Sequence, residues 1–89
     1  MGSQTVRVEQ GSQPTFLGVR VGIMRVGEHQ GDRKARLWIR DDSTGKRVDL
    51  VEGRSEDLLG VGTLTLDEVH LAASGQRGEV TLSFQAADA

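Results

Sequence analysis

The sequence predicts a small all-β protein, an antiparallel meander of six strands closed as a barrel or folded as a sandwich. Apolar residues alternate with small polar ones, most clearly over residues 80–84. A half-buried strand requires this alternation because successive side chains point to opposite sides of a sheet. Short segments rich in glycine, aspartate and serine separate the alternating stretches, which is typical of tight antiparallel connections.

A chain of 89 residues predicts one domain, 1–89, with residues 1–4 and 86–89 frayed at its ends. Aromatic residues make up only 3% of the chain, so the core must consist mainly of valine, leucine and isoleucine. A core of this size gives modest stability, to which burial against a partner would add.

Three strands are predicted in the first half of the chain: Thr5–Glu9, Phe16–Val26 and Ala35–Asp41. The second of these is the longest, with Val19, Val21 and Ile23 on one face. Gly18 and Gly22 interrupt it and predict a bend, because a glycine inside a strand usually marks a bend, a bulge or a close backbone approach. A polar loop is expected over residues 27–32.

The second half predicts three further strands: Arg47–Glu52, Thr63–Ala73 and Glu79–Gln85. A hairpin turn over 41–46 precedes them, with Gly45 at a positive φ. Residues 55–59 favour one helical turn, and residues 74–78 favour another turn. In the middle strand, residues 64 and 66 share one phase of the alternation and residues 69 and 71 share the other, so a β-bulge is expected at Asp67–Glu68.

Composition excludes several classes of chemistry. The chain contains no cysteine, which rules out disulfides, thiolate metal sites and cysteine nucleophiles. It has no apolar run long enough to span a membrane and no secretory signal, so we expect a cytoplasmic protein with no membrane partner. No metal site and no cofactor are predicted.

The charges are distributed unevenly along the chain. Six basic residues against two acidic ones lie in 33–47, and six acidic residues against one basic lie in 48–70. Such asymmetry could steer a partner or a second copy of the chain, although it is also compatible with ordinary cross-strand pairing. The net charge of −2 disfavours nucleic acid as the partner.

Histidine provides the two candidates for acid–base or metal chemistry. His29 lies beside Glu28 and Asp32, but a flexible glycine-flanked loop does not fix ligands in the way that a metal site requires. His70 shares a strand face with Glu68, and these two residues would carry catalysis in a small barrel enzyme. That hypothesis lacks a nucleophile and is the least favoured.

Trp38 is the more informative candidate because it is the only tryptophan and alternates with Arg36 and Arg40. An exposed tryptophan flanked by arginines could stack a ring or anchor a partner. The alternative is that Trp38 packs in a second apolar layer under the stems of the arginines.

Arginine outnumbers lysine nine to two, as in proteins from GC-rich genomes. The layout of strands and turns, with the segment 16–22 early in the chain and the segment 62–69 late, resembles that of short actinobacterial all-β proteins of unknown function. The resemblance implies a compact β-barrel or sandwich and brings no catalytic residues with it.

The preferred hypothesis is a non-enzymatic binding or assembly module that uses the face around Arg36, Trp38 and Arg40. Its partner would be another protein or a second copy of the chain, as in a homodimer. The alternatives are a β-barrel that holds a small apolar ligand, with Gly18 and Gly22 leaving the space, and the barrel enzyme.

Overall fold

The computed structural model describes residues 3–73 and 76–87, which form eight β-strands. In chain order these are β1 Ser3–Glu9, β2 Thr15–Phe16, β3 Val19–His29, β4 Asp32–Arg40, β5 Gly45–Val51, β6 Ser55–Asp57, β7 Gly62–His70 and β8 Glu79–Ala86. All strand pairs are antiparallel, so the predicted all-β antiparallel class is confirmed. The described ranges contain no helix that could span a membrane.

The strands form two four-stranded sheets, with the orders β1-β8-β7-β6 and β2-β3-β4-β5. The chain begins in the first sheet, builds the second as a meander, and then returns to the first for its last three strands. Among the described residues no strand pair links the two sheets, so they pack as an open sandwich. The predicted count of six strands and the predicted barrel closure are therefore wrong, and the sandwich alternative is correct.

A single hydrophobic core fills the space between the sheets. The rings of Phe16 from β2 and Phe84 from β8 lie 5.2 Å apart between centroids and join the two layers. The rest of the core is aliphatic, as the scarcity of aromatic residues predicts. Its members are Val19, Val21, Ile23, Ala35, Leu37, Ile39, Leu50, Leu58, Leu64, Leu66, Val69, Val80 and Leu82.

Two β-bulges keep the apolar residues of the longest strands facing inward. The register of β7 against β8 shifts between Leu66 and Glu68, which confirms the bulge expected at Asp67–Glu68. A second shift lies between Ile23 and Arg25 in β3. Because each bulge inserts one extra residue, the alternation changes phase and the apolar residues on both sides of it remain in the core.

Several connections are tighter than the sequence suggests. β3 and β4 continue through most of the predicted loop over 27–32 and are joined by Gln30 and Gly31 at φ values of 53° and 86°, as a two-residue hairpin turn requires. Residues 55–57 form strand β6 rather than a helical turn. Gly18 lies in the turn between β2 and β3 at a φ of 81°, outside the strand in which a bend was expected.

The turn between β4 and β5 forms where it is predicted, but a different residue holds it. Asp41 Oδ1 accepts hydrogen bonds from the backbone N–H groups of Ser43 and Thr44, both at 2.9 Å. Gly45 is the first residue of β5 and does not have a positive φ. The aspartate side chain, and not the glycine backbone, therefore organises this turn.

The described residues near the chain ends belong to paired strands. Ser3 and Gln4 pair with Gln85 and Phe84, and Ala86 pairs with Gly62. Residues 1–2 and 88–89 lie outside the described ranges, as do residues 74 and 75 of the turn predicted over 74–78.

Candidate binding surface

Arg36, Trp38 and Arg40 point away from the core on the outer face of the β2-β3-β4-β5 sheet. They alternate along β4 with Ala35, Leu37 and Ile39, which are fully buried. Trp38 is half-buried and does not belong to the core cluster. Its position is thus intermediate between the two that the sequence suggests, an exposed anchor and a second apolar layer.

Cross-strand pairing adds further cations to this surface. Arg20 lies directly opposite Arg40, Arg25 lies opposite Arg36, and Arg47 lies opposite Trp38. Residues directly opposite in an antiparallel pair project from the same side of the sheet. We call the resulting surface the Trp38 face, composed of Arg20, Gly22, Arg25, Lys34, Arg36, Trp38, Arg40, Arg47 and Asp49. Sequence reasoning did not include Arg20, Arg25 or Arg47.

Only one carboxylate offsets these charges within the Trp38 face. Asp49 accepts hydrogen bonds from Arg36, at 2.9 Å from Nε and 3.4 Å from Nη2. The hydrogen bond raises the pKa of the Arg36 guanidinium and lowers the pKa of the Asp49 carboxyl. Arg20, Arg25, Arg40 and Arg47 form no ion pair with any residue in the described ranges.

The opposite outer face, on the β1-β8-β7-β6 sheet, is acidic. Its strands carry hydroxyl-bearing side chains together with Glu9, Asp67, Glu68 and Glu79. Arg7 pairs with Glu79 there at 2.5 Å. The two faces of the sandwich therefore differ in charge, although the net charge of the chain is only −2. This difference follows the charge distribution along the sequence only in part, because Asp49 of the acidic segment lies on the Trp38 face while Glu9 and Glu79 lie outside that segment.

One cleft on the Trp38 face lies beside the tryptophan. It has a volume of about 620 Å³ and is bounded by Trp38 on one side and by the segment 10–13 on the other. Arg40, Arg47 and Arg77 also line it. A second cleft of about 460 Å³ lies further along the same face, next to Arg25, Lys34 and Arg36. Both clefts are on the outside of the sandwich.

The histidine candidates are not assembled into a site. His70 Nε2 lies 3.0 Å from Thr81 Oγ1, its cross-strand diagonal neighbour, while Glu68 is exposed. His29 and Asp32 face each other at the ends of β3 and β4. Across the residues that the structure describes, no three histidine or acidic side chains come together in a way that could hold a metal ion.

Comparisons with protein-family models, with curated protein sequences and with solved structures each found no match for this chain.

Proposed function

We propose that this protein is a non-enzymatic binding or assembly module that docks an acidic protein surface on the Trp38 face. One observation carries the proposal: arginine lies directly opposite arginine at two positions of the β3–β4 ladder, Arg20–Arg40 and Arg25–Arg36. Like charges directly opposite each other destabilise a sheet. Among the described residues Asp49 offsets this repulsion at Arg36, and no carboxylate pairs with the other three arginines. An anionic partner lying over the face would offset this repulsion, so the arrangement favours binding at a cost to the isolated fold.

Trp38 supplies the anchor for such a partner. Tryptophan and arginine are enriched among the residues that dominate binding energy at protein interfaces. Trp38 is half-buried, and its ring atom Cζ2 would lie 3.4 Å from a Cβ built on Gly45. The ring therefore rests against β5 and loses little freedom when a partner covers it, which lowers the entropy cost of docking.

The separation of charge between the two faces favours oriented encounter. A surface with one sign of charge attracts an oppositely charged partner before contact and raises the association rate, an effect that salt screens. A second copy of this chain could serve as the partner because its opposite face is acidic. Contacts of that kind join unlike faces and lead to rings or open chains rather than to a two-fold dimer.

The two alternatives from the sequence have less support. An apolar ligand would need an enclosed barrel interior, but the sheets form separate layers with a filled core between them. The enzyme hypothesis lacks a catalytic group hydrogen-bonded to His70, since among the described side chains the imidazole hydrogen-bonds only to the Thr81 hydroxyl.

The fluorescence of Trp38 provides a direct test, since the chain contains no other tryptophan and no tyrosine. Short poly-L-glutamate is titrated into the protein at low and at high salt, with poly-L-lysine as the control polymer. We expect a saturable change in Trp38 emission with poly-L-glutamate and none with poly-L-lysine. The affinity for poly-L-glutamate should fall as the salt concentration rises. Sedimentation over a concentration series at low salt shows whether a second copy is the partner, and a constant monomer mass excludes it.

Matched charge variants locate the binding surface. The double variant Arg40→Gln, Arg47→Gln removes two cations from the Trp38 face, whereas Arg7→Gln, Arg54→Gln removes the same charge elsewhere. The first pair should lose most of the response to poly-L-glutamate and the second should keep it. Equal losses in both variants would mean that net charge, and not this face, determines binding.

A further inference from the structure

The cleft beside Trp38 exists because residue 22 has no side chain. A Cβ built on Gly22 would lie 3.7 Å from Trp38 Cβ, 3.8 Å from Trp38 O and 3.9 Å from Gln13 Cγ. The indole ring is not among these nearest atoms, because it leans towards Gly45 on the other side of β4. A hollow therefore remains over Gly22, with the tryptophan as one wall and Gln13 as the other.

The opposite wall is held in place by backbone hydrogen bonds. Gly11 N donates to Ile23 O at 2.7 Å, and Ile23 N donates to Ser12 O at 2.9 Å. The segment 10–13 therefore runs beside β3 as an ordered border of the cleft. The volume of about 620 Å³ falls within the range of small-molecule sites, so the hollow is preformed and large enough for a ligand of nucleotide size.

The chemistry of the lining selects an anion. Arg40, Arg47 and Arg77 border the cleft, and no carboxylate is among the described residues that line it. Arg77 Nη1 donates to Gln10 O at 3.3 Å, which ties this arginine to the border segment. Guanidinium groups form paired, charge-assisted hydrogen bonds with phosphate, and a dianionic phosphate can use several of them at once.

We propose that this cleft is a binding site for a small phosphate ester that carries a planar ring, such as a mononucleotide. The ring would enter the hollow over Gly22 and stack on Trp38, while the phosphate would lie among the three guanidinium groups. Ser12 and Gln13 can hydrogen-bond the ring edge. The sequence suggests Gly18 and Gly22 as space for an apolar molecule in the interior or mouth of a barrel. The hollow over Gly22 lies instead on the outer face among arginines, and it therefore suits an anion.

This proposal concerns binding without turnover and does not rest on the docking of a protein partner. The same ring and phosphate chemistry occurs in a free nucleotide and in a single nucleic-acid strand. A strand would use further basic residues along the face and would show steep salt dependence. The cleft instead presents one aromatic side chain in one bounded hollow, which favours the free ligand.

The test follows Trp38 emission during titration with adenosine monophosphate, with adenosine, with inorganic phosphate and with a short single-stranded oligonucleotide. We expect saturable quenching by adenosine monophosphate, with adenosine and phosphate each binding at least about tenfold more weakly because each lacks one of the two contacts. Binding of phosphate as tight as that of adenosine monophosphate would reject the stacking role. A tighter, steeply salt-dependent interaction with the oligonucleotide would assign the face to nucleic acid and overturn the small-ligand site.

Two glycine variants on the same strand separate the cleft from the rest of the face. Gly22→Val fills the hollow, while Gly27→Val adds the same side chain to β3 at a position with no atom within 4 Å of its Cβ. Gly22→Val should weaken adenosine monophosphate binding at least about tenfold with a melting temperature no lower than that of the parent protein, and Gly27→Val should bind as the parent protein does. Parent-like binding by Gly22→Val would reject the site. Poly-L-glutamate binding is measured separately, so a negative result with adenosine monophosphate would not contradict the docking proposal.

Discussion

Gly22 and Trp38 face each other directly across the β3–β4 ladder, and the indole ring turns away from the glycine towards β5. The only tryptophan of the chain thus stands beside a position with no side chain, on the most basic surface of the molecule. This pair determines both the shape of the cleft and the accessible side of the ring. Gly22 leaves open space on the surface, whereas Gly62 is required for packing because a side chain there would overlap neighbouring atoms.

Gly22→Ala and Gly62→Ala should have opposite effects on stability. The nearest atoms to a Cβ at Gly22 are at ordinary contact distances, so alanine should leave the free energy of unfolding unchanged or raise it by up to about 1 kcal/mol. A Cβ at Gly62 would lie 2.6 Å from the Phe84 ring and would also overlap the Gln85 carbonyl. Alanine there should lower stability by about 1–3 kcal/mol or more. Urea unfolding measures both, and a stable Gly62→Ala variant would show that both the Phe84 ring and the Gln85 carbonyl can shift.

Trp38→Ala should weaken the binding of poly-L-glutamate and of adenosine monophosphate while leaving the fold in place. Because the variant lacks the only tryptophan of the chain, its binding is measured by isothermal titration calorimetry against the parent protein and not by fluorescence. The side chain is half-buried and lies outside the core, so we expect a smaller stability loss than the roughly 2–5 kcal/mol of a buried leucine truncated to alanine. Leu37→Ala, at the neighbouring and fully buried position, provides that comparison. Far-ultraviolet circular dichroism and urea unfolding report the outcome. If Trp38→Ala unfolds as readily as Leu37→Ala, the tryptophan is a structural residue.

The alternation of apolar residues predicted one bulge and contained the signal for the other. Leu66 and Val69 are both buried although they are three residues apart, and this change of phase located the bulge in β7. Ile23 and Val26 show the same spacing in β3, but the predicted strand ends at Val26, so too few residues follow the change of phase to indicate a bulge. β6 could not be predicted in this way because its three residues are too few to show a period.

Strand pairing determines which residues belong to the basic surface, and the order of residues in the sequence does not show how the strands pair. Alternation along β4 was sufficient to place Arg36, Trp38 and Arg40 on one face. Arg47 could have been added from the predicted hairpin, whose return strand has Val48 and Leu50 inward. Arg20 and Arg25 join the face only through the register of β3 against β4, and the bulge at Met24 sets that register.

The turn carboxylate of Asp41 should make stability depend on acid pH. Hydrogen bonds from the backbone of Ser43 and Thr44 lower the pKa of Asp41, so the unfolded chain takes up this proton before the folded one does. The stabilisation is therefore present above the ordinary aspartate pKa of about 3.9 and is lost as pH falls below it. Asp41→Ala should be less stable at neutral pH and should lose less stability on acidification. Urea midpoints measured at several pH values test this, with Asp42→Ala in the same turn as the control.

Lys46 and Glu56 should be coupled across the open edge of the sandwich. Lys46 of β5 lies opposite the buried Ile39, and its Nζ lies 2.7 Å from Glu56 Oε2 of β6 in the other sheet. Because about a third of each side chain is exposed, we expect a coupling energy of about 0.5–1 kcal/mol. A double-mutant cycle with Lys46→Met and Glu56→Gln measures it by urea unfolding. A coupling near zero would mean that the pair does not tie the sheets together in solution.

Deletion of Asp67 should be tolerated, whereas deletion of Thr65 from the same strand should not. Leu66 pairs with Leu82, and Glu68 pairs with Thr81, so Asp67 is the extra residue of the bulge. Without it the alternation becomes regular and both halves of β7 keep their register and faces. Its side chain gives up one exposed hydrogen bond, to Ser83, so we expect a loss of no more than about 2 kcal/mol.

Deleting Thr65 instead removes a paired residue, which inverts the faces of one half of the strand relative to the other and forces either Leu64 or Leu66 out of the core. Circular dichroism and the dispersion of amide proton resonances should therefore show a folded protein for the first deletion and an unfolded one for the second. If both deletion variants are unfolded, the packing of the sheets requires a feature of the bulge itself. That feature is either the bend that the bulge gives β7 or the hydrogen bond beside it, which Val69 N donates to Glu52 Oε2 at 2.8 Å.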